Sequence, residues 1–269
     1  MKQLFNISTN NEAEIIQPVL AIRIGEHHFS FAITNATASQ LYQLVYYSSD
    51  EINTGLLNEI FSAHAELNNS FFQVLICYDY ANSIIVPSIH YNFNNAGLLL
   101  STIHGNAVNN RIVSESVAGW QIHNVYAIPE EVHEWINRKF PSGKTGHNYS
   151  LGIRNIKDAD VPGYISLDIL TNELCVVASK ENKLLLAQSF SYSTPADVVF
   201  YLLKVCQQFN LSQQDVKLFI SGLIEKDSAL YKELHQYFLH VAFREATWSN
   251  DEYPAHFFTS LNDLARCAS

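Results

Sequence analysis

The chain has 269 residues, of which 48% are hydrophobic and 16% charged; this excludes a disordered segment and allows one large or two ordinary domains. Its net charge is −10, and its 16 Lys and Arg are scattered, with nothing denser than Arg138-Lys139 or Arg154 with Lys157. Phosphate backbones and anionic membrane surfaces repel such a chain, so neither is the expected main partner.

In chain order, residues 1–18 are polar and acidic, with no apolar stretch of signal length. Val19, Leu20, Ile22 and Ile24 then read as a buried strand, and Phe29, Phe31 and Ile33 as a second strand with period-two alternation. Asn35 and Thr37 mark a hairpin turn before a third strand with Leu41, Gln43 and Val45. Leu56, Leu57, Ile60, Phe61 and His64 recur at the spacing of one helix face, and Val74 and Leu75 begin a fourth strand. An insert of about 78–123 follows, with a short strand ending at Val86-Pro87, a helix over 94–103 and a strand over 111–117. A helix over 129–140 and a strand over 147–153 complete the first half.

The second half repeats the first. At a shift of 145 positions, Val19, Leu20, Ile22 and Ile24 fall on Tyr164, Ile165, Leu167 and Ile169, and Phe29, Phe31 and Ile33 on Leu174, Val176 and Ala178. Leu41, Gln43 and Val45 fall on Leu186, Gln188 and Phe190, with residues 180–183 as the turn. The helix positions fall on Tyr201, Leu202, Val205, Cys206 and Phe209, and Val74 and Leu75 on Phe219 and Ile220. Thr194-Pro195-Ala196-Asp197 has the cap residue, first-turn proline and acid of a helix start. A helix over 227–238, a strand over 239–245 and a closing helix over 255–267 end the chain. Each half is thus β-β-β-α-β-α-β, with domains expected at 1–155 and 156–269.

Several residue patterns invite a chemical reading and are outweighed by a plainer one. Cys77, Cys175, Cys206 and Cys267 form no C-x-x-C pair and read as reduced thiols; with the absence of an 18-residue apolar run, this points to the cytoplasm without membrane insertion. Ser142-Gly143-Lys144-Thr145 copies the end of a P-loop, but Arg138 stands where its first glycine belongs and a helix precedes it, so an exposed turn is expected. Adjacent His27 and His28 would face opposite sides of a strand, and His235 and His240 are five apart, so no metal site is expected. Phe219 stands where a G-x-S-x-G elbow would need glycine before Ser221-Gly222. Trp120 and Trp135 read as core or interface residues, whereas Trp248, near Glu245, Asn250 and Asp251, reads as a partly exposed contact-patch residue.

Ile84-Ile85-Val86-Pro87, Phe140-Pro141, and Phe200-Tyr201-Leu202-Leu203 followed by Leu218-Phe219-Ile220-Ser221-Gly222, set on this duplication, resemble a Bacteroidetes family of unknown function with the actin-like ATPase architecture. The chain more distantly resembles the pilus-assembly and cell-division members, which share the small insert. The resemblance implies an α/β fold of duplicated actin-like (ribonuclease H-like) domains with mixed sheets, and a nucleotide cleft between the lobes. ATPases of this fold hold phosphate with two Asp-x-Gly-(Ser/Thr) hairpins. Here the first reads Arg23-Ile24-Gly25-Glu26 and the second Asp168-Ile169-Leu170-Thr171, while Ser221-Gly222-Leu223 keeps one glycine of the adenosine loop. Arg23 would repel magnesium and Glu26 would repel phosphate.

Arg23, Gly25, Asp168, Thr171, Ser221 and Gly222 are therefore the candidate residues of a vestigial cleft, with no cofactor and no catalytic residue expected. The implied function is a non-catalytic protein-binding or scaffold module with a protein partner or a capacity to oligomerise. The alternative is a nucleotide-binding switch or weak ATPase.

Overall fold

A computed structural model describes residues 1–9, 16–105, 108–157, 161–248 and 252–268. Residues 10–15 of the polar N-terminal stretch, 106–107 of the insert, and Asn250 and Asp251 near Trp248 lie outside the described residues. Chain contacts group Met1–Ser150 with Asp263–Ser269 in one unit and Leu151–Asn262 in the other.

In the first unit, β1 (Lys2–Ser8), β2 (Val19–Gly25), β3 (His28–Thr34) and β4 (Leu41–Ser48) lead to helix α1 (Thr54–Ala63) and β5 (Gln73–Asp79). The insert supplies β6 (Ser83–Pro87), α2 (Ala96–His104), β7 (Asn110–Val117) and β8 (Ile122–Pro129). Helix α3 (Glu130–Lys139) and the short strand β9 (Lys144–His147) follow, and α4 (Asn148–Arg154) leads into the second unit. That unit holds β10 (Tyr164–Ile169), β11 (Glu173–Lys180), β12 (Lys183–Ser191), α5 (Pro195–Phe209), β13 (Lys217–Gly222), α6 (Ala229–Tyr237) and β14 (His240–Phe243). Helix α7 (Thr259–Ala265) comes last, between two short 3-10 turns.

The two main sheets have the same connectivity. The first runs β1-β4-β3-β2-β5-β9 and the second β12-β11-β10-β13-β14, so removal of β1 makes them identical in order. In each, three antiparallel strands are followed by two parallel ones. Each sheet buries one face under its own helices: Leu57, Ile60 and Phe61 of α1 pack with Leu20, Ile22 and Phe31, and Leu202, Val205 and Cys206 of α5 with Ile165, Leu167 and Val176. Truncating one of the leucines to alanine would cost about 2–5 kcal/mol through lost burial and the cavity left behind.

A shared irregularity strengthens the duplication. The pairing register shifts between Ile33 and Thr34 where β3 meets β4, and between Ala178 and Ser179 where β11 meets β12, positions 145 apart. A bulge inserts an extra residue into one strand and bends it, and its recurrence at matching sites is a property of the fold rather than of general strand geometry.

The gapless alignment needs two corrections. Phe31 pairs with Val45, but its counterpart Val176 pairs with Gln188, so β12 lies two positions from the expected match. The cause is turn length. Residues 35–40 connect β3 and β4, held by Ser39 and Gln40 N–H groups donating to Asn35 Oδ1, whereas Glu181 and Asn182, both with positive φ, make a two-residue turn. A shift of two leaves the sheet face unchanged. In the fourth strand Leu20 pairs with Val74 and Ile165 with Leu218, so Val74 matches Leu218 and not Phe219. This shift of one does exchange faces, and the core residues Ile76 and Ile220 agree with the corrected register.

Other expectations also change. The stretch over 147–153 is not a strand: β9 ends at His147, and α4 buries Tyr149, Leu151 and Ile153. Their alternate spacing imitates a strand because this short helix is buried on more than one side, Ser150 included. The insert extends to residue 129, since β8 is the middle strand of a β6-β8-β7 sheet covered by Ala96 and Leu100 of α2. Strand β1 has no counterpart in the expected elements. The P-loop lookalike is a turn at Pro141-Ser142 running into exposed Lys144 and Thr145 on β9. Trp248 is 2% exposed and so cannot be a contact-patch residue; Asn262 near the chain end is hydrogen-bonded to the adjacent Thr247 and ties this segment down.

Candidate functional site

In the first unit, β2 alternates Ile22 and Ile24 into the core, which turns Arg23 to the other face. Its parallel neighbour β5 brings Asp79 beside Gly25 and Cys77 beside Arg23. Arg23 donates from Nε and Nη2 to Asp79 Oδ2 at 2.9 and 2.6 Å, and His28 Nε2 lies 3.3 Å from the same oxygen. Burial by itself would raise the Asp79 carboxyl, but the Arg23 charge and the His28 contact outweigh it and hold the group well below the usual carboxylate range. Asp79 therefore stays ionised.

Gly25 is shaped by this cluster. A Cβ there would come 2.5 Å from a His28 ring carbon and 2.6 Å from the Asp79 carbonyl oxygen. The hairpin glycine is thus explained by packing within the first unit. Glu26 is exposed, and its carbonyl accepts the Ile52 N–H at 2.8 Å.

In the second unit, β10 pairs in register with β13 and sets Asp168 beside Ser221. Ser221 Oγ lies 3.1 Å from both Asp168 Oδ1 and the Leu167 carbonyl, and Ser260 donates to Asp168 Oδ2 at 2.8 Å. Leu170, where a phosphate hairpin needs glycine, is 5% exposed, and its carbonyl accepts the Tyr192 hydroxyl at 2.7 Å. Thr171 is exposed at the tip of the turn. Gly222 has φ +87, and a Cβ on it would come 2.1 Å from the Ile169 carbonyl oxygen, which accepts the Leu223 N–H at 2.7 Å. Its role is close approach of strand ends.

Arg23, Gly25 and Glu26 thus gather in the first unit, and Asp168, Ser221 and Gly222 in the second, with Thr171 at the nearby turn. Asp79, His28 and Ser260 were not anticipated. An acid ending the apolar run Leu75-Ile76-Cys77-Tyr78 was the available signal for Asp79, because a buried arginine needs a countercharge. Ser260 lies 92 positions from Asp168 and had no local signal. In chemical terms, a lone base and a lone acid have each been given fixed protein partners. Among the described residues, no group of three His, Cys, Asp or Glu is placed to hold a metal ion.

A family model described as "Protein of unknown function (DUF3822)" matches residues 7–241. The chain belongs to this family. No curated protein matches it. This DUF3822 chain is similar in structure to a Bacteroides thetaiotaomicron VPI-5482 protein with actin-like ATPase fold and unknown function, at TM-score 0.77 and 20% identity, over 93% of this chain and 96% of the other. It is also similar to a structure of the PilM-PilN type IV pilus biogenesis complex, at TM-score 0.61 and 10% identity, over 95% and 99%. The DUF3822 chain therefore has the actin-like fold, in two units of matching topology. No helix among its described residues is long and apolar enough to cross a membrane.

Proposed function

We propose that this protein is a non-catalytic actin-like-fold protein that binds or scaffolds a protein partner. The observation that carries this reading is the buried Arg23–Asp79 pair at the first hairpin position. A phosphate there would have to compete with a carboxylate held by two hydrogen bonds. Leu170 in place of the second hairpin glycine, and Asp168 engaged by Ser221 and Ser260, support the same reading. The likeness to a chain of the PilM-PilN type IV pilus biogenesis complex supports a protein as partner, since that chain is found in a complex. Four free cysteines support a cytoplasmic setting.

Size-exclusion chromatography with light scattering, followed by affinity capture from native lysate, tests the reading. A stoichiometric partner or a defined oligomer is expected. A strictly monomeric protein that captures nothing would contradict it. The rival, a nucleotide switch, requires binding of ATP or ADP with magnesium.

A further inference from the structure

The insert of the first unit carries a surface that the hairpin residues do not use. Among the described residues, thirteen large hydrophobic side chains are exposed, and seven of them fall within residues 89–112. Exposed apolar residues scattered singly are ordinary, whereas a concentration of them marks an interaction site. Helix α2 is at its centre. Ala96 and Leu100, one turn apart, pack with Val125 and Ala127 of β8. With 3.6 residues per turn, Leu98, Leu99 and Ile103 fall together on the remaining surface of the helix, and they are 69%, 39% and 67% exposed. The polar residues beside them do not interrupt this face. Ser101 and Thr102 both donate their hydroxyls to the Leu98 carbonyl, at 3.0 and 2.7 Å, so these polar groups are satisfied within the helix. Phe93, 77% exposed, begins the 3-10 turn that leads into α2.

Charge selects the occupant. Residues 80–110 contain no Asp, Glu, Lys or Arg, in a chain that is 16% charged. A partner recognised by its charge would find no countercharge there. A helix that lies on a membrane carries Lys and Arg on its polar face, and α2 carries neither. Two copies of this chain, each with net charge −10, repel wherever their acidic surfaces meet. On the insert they can touch without bringing like charges together. In a two-fold pair the same patch serves on both sides, so an uncharged apolar face is its own complement. The area suits such a pair as well. The seven residues leave the equivalent of more than four whole residues in water, which is of the order of the roughly 800 Å² that each side of a standard interface supplies.

We infer that the insert is a self-association surface, on which α2 of one chain packs against α2 of a second copy through Leu98, Leu99 and Ile103. The inference goes beyond the function proposed above, because a scaffold can hold its partner as a monomer or as a dimer.

Sedimentation equilibrium of the full chain between about 1 and 50 μM is the test, a range that populates a standard interface of micromolar or better affinity. A dimer is expected, at twice the chain mass of 30.4 kDa. Leu98→Glu with Ile103→Glu, and separately Leu98→Lys with Ile103→Lys, should each raise the dissociation constant at least about a hundredfold, because like charges would then face each other. An equal mixture of the two double variants should pair again, since opposite charges then meet across α2 and α2. Melting curves show whether these variants, altered at exposed positions, keep the fold; Leu98→Ser with Ile103→Ser replaces any that does not. A monomeric wild-type chain, a dimer indifferent to the folded variants, or a mixture that stays monomeric would overturn the inference. A monomer that cosediments with phosphatidylcholine vesicles would overturn it too, and would assign the patch to lipid. A monomer that captures a partner protein would overturn it while leaving the function proposed above in place.

Discussion

Arg23 Nη2 lies 2.6 Å from Asp79 Oδ2, and both side chains are buried in the first unit. Removing one partner of such a pair leaves the other as an uncompensated buried charge. Arg23→Ala is therefore expected to lower stability by about 3–5 kcal/mol. Replacing both residues, Arg23→Met with Asp79→Leu, should cost much less, because no lone charge remains. Urea denaturation checks this: equal losses in the single and double variants would show that the pair does not act as a unit.

His147 gives a pH dependence of definite sign. It is 1% exposed; its Nδ1 accepts the Tyr149 N–H, and its Nε2 lies 2.9 Å from the Tyr80 carbonyl, which fixes the neutral tautomer with the proton on Nε2. Burial lowers its pKa to about 4 from 6.5, against the pull of Asp79. The unfolded chain thus binds a proton between those values that the folded chain does not. Stability from this group is complete above about pH 6.5, falls with pH across the window, and is lost by roughly 3 kcal/mol near pH 4. His133 and His256 shift in the same direction, so the variant comparison isolates His147. His147→Gln retains a donor for Tyr80 and should flatten the decline between pH 6.5 and pH 4. A variant with the wild-type slope would contradict this.

Gly222→Ala should be among the most damaging small substitutions. A methyl group there meets the Ile169 carbonyl at 2.1 Å in a backbone conformation of φ +87. A loss of at least about 3 kcal/mol is expected, read as a large fall in melting temperature or as insoluble protein. A variant that melts within a degree of wild type would show that the strand ends can separate cheaply.

Thr194 tests the cap on α5. Its Oγ1 accepts the Asp197 N–H at 3.3 Å, and Asp197 Oδ2 accepts the Thr194 N–H at 2.8 Å. Thr194→Ala should cost about 1 kcal/mol, seen as a lower denaturation midpoint with an unchanged slope. An unchanged midpoint would mean that the start of α5 is held by packing alone.

The duplicated strands and helix were legible in sequence because burial imposes a period on them. Ile22 and Ile24 match Leu167 and Ile169 in both spacing and face. The slip at β12 was not legible, because turn length sets register and the apolar pattern tolerates a shift of two; the slip at β13 was hidden by the unbroken apolar run Leu218-Phe219-Ile220, in which no alternation marks the face. Strand β1 was missed because only Phe5 and Ile7 are buried, too few to show alternation. At the hairpins, sequence revealed which residue types were present but not what they contact. Arg23 finds Asp79 through a parallel register 56 positions long in sequence, and Asp168 finds Ser260 through the chain's last helix.

The central claim is that the hairpin positions no longer serve a nucleotide. Thermal melting of the full chain with and without millimolar ATP or ADP and magnesium tests it most directly, since a ligand at a hundred times its dissociation constant stabilises the folded state by about 2.7 kcal/mol. The account predicts superimposable melting curves. A rise of several degrees with nucleotide, abolished by Asp168→Ala, would contradict it.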